Sequence, residues 1–184
     1  MRQQPSQAGG FTLIELLVVL VILGSLIGIA VLSTTDNHSR ALQGEAERLA
    51  ALISLLSEEA VLDNREYGLR LDEQSYRVLR YNERQVVWQT VAGQQEHQLP
   101  IFSRLQLTLE GQPLNLTTVQ AEQQNNPDLA PEHTKDRQMP QLLILSNGEL
   151  SPFTLRIEER AANGSVFTLA SNGFDLPLAE RAPR

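Results

Sequence analysis

GGFTLIELLVVL, residues 9–20, decides the fold. One carboxylate, Glu15, is followed by seventeen residues, Leu16 to Leu32, that carry no charge. The 22 residues from Phe11 to Leu32 rise about 33 Å as a helix, against a hydrocarbon core of about 30 Å. The spacing therefore predicts a transmembrane helix over 11–32. A secretory signal peptide is the competing reading, with Arg2 as its basic region and Gly28 and Ala30 as its cleavage site. Against it, the apolar run exceeds the usual stretch of about 7 to 15 residues, one arginine is a thin basic region, and such a signal has no use for Glu15. An acid in a membrane segment costs about 2.5 to 3.5 kcal/mol at the helix centre and less near an end, so Glu15 calls for a cation. Met1 to Gly10 form a short, polar, acid-free leader. Cutting after Gly10 creates an α-amine on Phe11, one helical turn from Glu15. That amine can belong to a neighbouring chain or to the same one, and both pairings stay open.

Gly24 and Gly28 form a GxxxG spacing that lets a second helix approach closely, or they reflect the ordinary glycine content of membrane helices. Beyond Leu32, Leu42, Ala46, Leu49, Ile53, Leu56 and Ala60 recur at alternating intervals of four and three. This period makes 33–64 an amphipathic continuation of one helix running from about Phe11 to about Asn64. From Tyr67 the period is two. Tyr67–Leu71, Leu105–Leu109 and Phe153–Ile157 read as half-buried strands, and Tyr76–Tyr81, Val86–Val91, Leu114–Thr118 and Ser165–Ala170 as further candidates. Leu142–Leu145 lacks alternation and predicts a central strand buried on both faces. Asn-Gly at 147, 163 and 172 predicts turns. Residues 120–140, rich in Gln, Asn, Pro and charge, predict a long exposed loop. The fold class is α+β, with a long N-terminal helix, half membrane-embedded and half amphipathic, packed on an antiparallel β-sheet or β-sandwich domain at 65–184.

The motif Gly10-Phe11-Thr12-Leu13-Ile14-Glu15 resembles that of type IV pilin and type II secretion pseudopilin precursors. The resemblance implies a pilin-like fold and a leader, 1–10, removed by a membrane aspartyl protease. It also implies N-methylation of Phe11 and a role for Glu15 in docking subunits into a helical filament. In the β domain, Tyr67-Gly68-Leu69-Arg70-Leu71, Tyr76-Arg77-Val78, Trp88 and Gly148-Glu149-Leu150-Ser151-Pro152-Phe153 look like the H-type minor pseudopilin of type II secretion. The implied function is a subunit near the pseudopilus tip that supports export of folded proteins across the outer membrane. A minor pilin of a type IV or DNA-uptake pilus is the alternative. The implied partners are other minor pseudopilins, the major pseudopilin, the prepilin peptidase and the inner-membrane assembly platform, with the secretin and cargo as further candidates. The implied location is the bacterial inner membrane, crossed once, with the N-terminus cytoplasmic and the β domain periplasmic.

Composition bounds the rest. The 184 residues carry a formal charge of −7; without Arg2 there remain 14 Lys and Arg against 22 Asp and Glu, formally −8. This acidic excess disfavours nucleic acid as a partner. There is no cysteine, hence no disulfide or thiolate site. His38, His97 and His133 share no ligand spacing and read as plain surface residues, so no metal or other cofactor is expected. Glu58-Glu59 and Glu158-Glu159 read as solvated faces, because adjacent residues do not face one another on a helix or a strand. With no phosphate loop and no nucleophile elbow, no catalytic residue is assigned and the chain is not read as an enzyme.

Overall fold

The computed structural model describes residues 12–91, 93, 95–116 and 139–182, apart from the side chains of 26–36. Gly10, Phe11, His133 and all but the end of the expected 120–140 loop lie outside the described residues. The chain divides into two compact units, Met1–Asn37 and His38–Arg184.

Helix α1, Leu13–Asp63, runs through both units. In the first, every large side chain from Leu13 to Leu23 is exposed, between 45% and 82%, on all sides of the helix. A helix apolar all round gains stability only from surroundings that cover it, a membrane or other helices. Among the described residues no helix is long and apolar enough to cross a membrane. The expected span 11–32 runs through Phe11 and the side chains of 26–32, which lie outside the description.

In the second unit the same helix is one-sided. Leu42, Ala46, Leu49, Ile53 and Ala60 are fully buried and Leu56 nearly so. The helix ends by a left-handed cap. Asn64 takes φ 51°, and the Arg65 N–H donates to the Ala60 carbonyl at 3.0 Å, closing the last turn.

Among the described residues ten strands follow: β1 Tyr67–Leu71, β2 Ser75–Asn82, β3 Val87–Thr90, β4 His97–Gln98, β5 Ser103–Leu109, β6 Gln112–Leu114, β7 Leu142–Ile144, β8 Phe153–Glu159, β9 Val166–Ser171 and β10 Glu180–Arg181. They form two antiparallel sheets, one ordered β3-β2-β1-β7 with β4 also on β2, the other β10-β9-β8-β5-β6. Alternation fixes which face is inside. Leu69, Leu71, Tyr76 and Val78 of the first sheet share one core with Leu105, Leu107, Leu155, Ile157 and Leu169 of the second and with the α1 stripe.

Three expectations need correction. Leu142–Leu145 is not a central strand: β7 is the last strand of its sheet, and Leu143 is only half-buried. Its free side meets an irregular segment instead, where Ser151 N–H donates to the Leu143 carbonyl at 3.0 Å and the Ser151 hydroxyl accepts from Leu143 N–H at 2.9 Å. Val86 lies outside β3, in the preceding turn at φ 56°. Leu114 ends β6 rather than opening a strand, and Thr117 and Thr118 lie outside the described residues. The turns expected at the Asn-Gly pairs are present: Gly148 N–H donates to the Leu145 carbonyl at 3.0 Å, Gly164 N–H to the Ala161 carbonyl at 2.9 Å, and Asn172 Oδ1 accepts the N–H groups of Phe174 and Asp175 at 3.0 Å. None is a two-residue hairpin, because that turn needs both central residues at positive φ and only Gly148 and Gly173 have it, never their asparagines. The hairpin of that type is Glu110-Gly111 between β5 and β6, at φ 49° and 80°.

Candidate functional site

The sequence points to the start of α1. Thr12 caps the helix: Glu15 N–H donates to the Thr12 carbonyl at 3.1 Å and to its hydroxyl at 3.4 Å, and Leu16 N–H to the same carbonyl at 3.3 Å. Thr-x-x-Glu is the capping-box spacing, which leaves the Glu15 carboxylate in the first turn, where the exposed N–H groups favour an anion. Sequence reasoning missed this local contribution, although the signal was present in Thr12 and Glu15 themselves. Glu15 is exposed and, among the described residues, bonds to no cation. Phe11, its expected partner, lies outside the described residues, as does the cleavage site Gly10.

A Cβ built on Gly24 would meet nothing within 4 Å, so none of the described residues requires a glycine there. The surroundings of Gly28 lie outside the description.

In the second unit two histidines are not plain surface residues. His38 stacks on Phe102 with ring centroids 3.9 Å apart, and its Nδ1 lies 2.9 Å from Glu159 Oε1. His97 Nε2 lies 2.7 Å from Glu45 Oε2, with its ring tilted on Tyr76 at 4.9 Å. Each pair fastens α1 to a different sheet, Glu45 to β4 and His38 to β8. The pairs join residues 52 and 121 positions apart, a separation no spacing rule exposes.

Glu158-Glu159 is likewise not a solvated face. The two carboxylates point to opposite sides of β8, Glu159 to His38 and Glu158 to Arg104 and to Gln106 Nε2 at 2.7 Å. Glu158 is only 8% exposed, and a carboxylate buried that far needs such partners. Among the described residues no group of three or more His, Asp or Glu is placed to hold a metal ion.

The site is thus a physical contrast rather than a pocket: an uncovered apolar helix start with one acid, followed by a packed β domain. Comparison with known proteins finds both halves together. A family model for the prokaryotic N-terminal methylation motif matches residues 5–31, and one for type II transport protein GspH matches residues 45–173. The type II secretion system protein H of Pseudomonas aeruginosa is 53% identical over 176 residues, covering 95% of this chain and 97% of that protein. The protein of the same name from Aeromonas hydrophila is 29% identical over 155 residues, 82% of this chain and 81% of its own. Among solved structures, the minor pseudopilin EpsH of Vibrio cholerae matches with a TM-score of 0.53 at 23% identity, over 77% of this chain and 94% of its own. The solution structure of Escherichia coli GspH matches with a TM-score of 0.52 at 17% identity, over 78% and 92%. At these identities the two structures show a shared α+β fold. With a family match over most of the chain and a near full-length relative at 53% identity, the chain belongs to the type II transport protein GspH family, the H proteins of type II secretion.

Proposed function

We propose that this chain is a minor pseudopilin, a membrane-anchored subunit that assembles into the type II secretion pseudopilus and supports export of folded proteins across the outer membrane. The observation that carries this reading is the pairing, on one chain, of the methylation-motif match at 5–31 with the GspH match at 45–173. Residues 1–10 act as the leader and are removed after Gly10. Residues 11–32 anchor the chain in the inner membrane, 33–64 carry the helix into the soluble domain, and 65–184 form the β domain in the periplasm.

The chemistry is that of assembly. Cleavage frees the Phe11 amine, which is then N-methylated, and Glu15 pairs with that amine on a neighbouring subunit. The attraction strengthens where water is scarce, so a subunit in the wrong register leaves a carboxylate uncompensated. Gly24 and Gly28 allow the neighbour's helix to come close. The subunit sits near the tip, with other minor pseudopilins on one side and the major pseudopilin on the other. The prepilin peptidase and the inner-membrane platform act on it before assembly.

Mass spectrometry of the N-terminal peptide from membranes tests the reading. The expected mature chain starts at Phe11 and carries one added methyl group. A chain that starts at Val31, after the signal-peptide alternative, would overturn it.

A further inference from the structure

A cleft at the C-terminal end of α1 gathers three of the chain's 15 basic residues, Arg65, Arg80 and Arg84, into an open cavity of about 530 Å³. Three elements build it. The left-handed Asn64 cap turns the chain so that Arg65 follows the helix end directly. Arg80 comes from β2, opposite Tyr67 on β1. Arg84 is set by the turn after β2, where Asn82 Oδ1 accepts the N–H groups of Arg84 and Gln85 at 3.1 and 3.2 Å.

The charges are not balanced alike. Arg65 lies 3.5 Å from Asp63, which already answers it. Arg80 and Arg84 are bonded to no carboxylate among the described residues. Glu83 stands beside them as the one other acid of the lining. In a chain of net charge −7, two guanidinium groups without an acid partner in one concave site are a place where carboxylates are wanted.

We propose that this cleft docks an acidic segment of a partner protein, with its carboxylates received by Arg80 and Arg84. Phosphate on nucleic acid fits less well. A continuous run of phosphates needs an extended basic track, whereas here Glu83 and Asp63 repel any anion beyond the first contact. A peptide carries separate carboxylates and can turn neutral backbone toward those two acids. The inference rests on the charges of this cleft and stands whichever filament the chain joins.

The test uses the full chain in detergent micelles and, as probe, a short synthetic peptide of alternating Glu and Gly. Binding is followed by calorimetry at low salt. Trp88, the chain's one tryptophan, serves as a local reporter because its ring lies 5.3 Å from that of Tyr81 in the cleft lining. Saturable binding is expected, weakened at least about tenfold by Arg80→Glu with Arg84→Glu, since charge-assisted pairs become repulsive ones. Arg84→Ala, in an exposed turn where the fold does not depend on it, should weaken binding about three- to fivefold, and Glu83→Gln should strengthen it about twofold. Arg40→Glu, at an exposed position of α1 outside the cleft lining, should change nothing. Absence of saturable binding, or binding that Arg84→Ala and the double variant both retain, overturns the proposal. So does tighter binding of duplex DNA than of the peptide.

Discussion

Tyr76 is buried where β2 faces α1, beside His97. Burial, reinforced by the Glu45 carboxylate and opposed by Arg48, pushes its phenol up to about 12. Tyr67 is raised as well, by burial first and then by Glu59. Unfolded phenols lose their protons near pH 10, so above that pH the folded chain holds more protons than the unfolded one and loses stability as pH rises. Tyr76→Phe should flatten the fall of melting temperature between about pH 10 and 12, followed by circular dichroism; an unchanged slope would place the effect elsewhere. Glu15 calls for a different experiment. Glu15→Ala and Glu15→Gln should leave insertion and leader cleavage intact, because removing a charge eases insertion. Crosslinks to partner subunits and secretion should be lost at normal protein levels, with Glu15→Asp intermediate. Normal secretion by Glu15→Ala would refute the pairing, and loss of cleavage would assign Glu15 to the peptidase. Glu15 stands out as a candidate in the sequence because a charge interrupting an apolar run is visible in one dimension. The partners of His38, His97 and Glu158 were not, since each lies on another element brought near only by the fold.

At the scale of elements, the stripe of α1 was legible residue by residue, because 3.6-residue periodicity is a local property. Leu49→Ala or Ile53→Ala should each cost about 2 to 5 kcal/mol in denaturant unfolding, the usual penalty for a cavity in a closed core. Truncation separates the two halves of the helix. Removing residues 1–37 should leave a soluble, folded domain that keeps the His38 contact with Phe102 and Glu159, whereas removing 1–64 should uncover the core and cause aggregation. Equal solubility and equal melting temperature of the two would show that α1 is not part of the core. The longer strands, β1, β2, β5, β8 and β9, were legible from their sequence pattern, but their neighbours were not. Four apolar residues in a row at 142–145 satisfy a central strand and an edge strand covered by Leu150 and Ser151 equally well. Glu110-Gly111 escaped notice because its first residue is an unusual choice for positive φ. Glu110→Asn should therefore raise stability by about 0.5 to 1 kcal/mol, measured by thermal melting, and a loss would contradict the turn assignment.

For the whole molecule, charge decides the broad choice of partner. An acidic excess of seven, or eight once the proposed leader with Arg2 is removed, predicts no submicromolar binding to duplex DNA in about 150 mM salt, because phosphate neutralisation supplies most non-specific affinity. A mobility-shift titration checks this, and tight binding that weakens steeply with salt would contradict it. The leader motif was legible at once but is shared by all pilin-like precursors, so the choice between a secretion pseudopilin and a fimbrial minor pilin rested on the β domain, where the match at 45–173 lies. The way α1 joins that domain also bears on mechanical load. Leu42, Ala46, Leu49, Ile53, Leu56 and Ala60 lock the helix into a core shared by both sheets, with the His38–Glu159 and Glu45–His97 fastenings nearest its entry. A pull transmitted along the helix therefore meets the whole seam in shear. Within the His38–Arg184 unit those contacts share such a load and yield together rather than peel one after another.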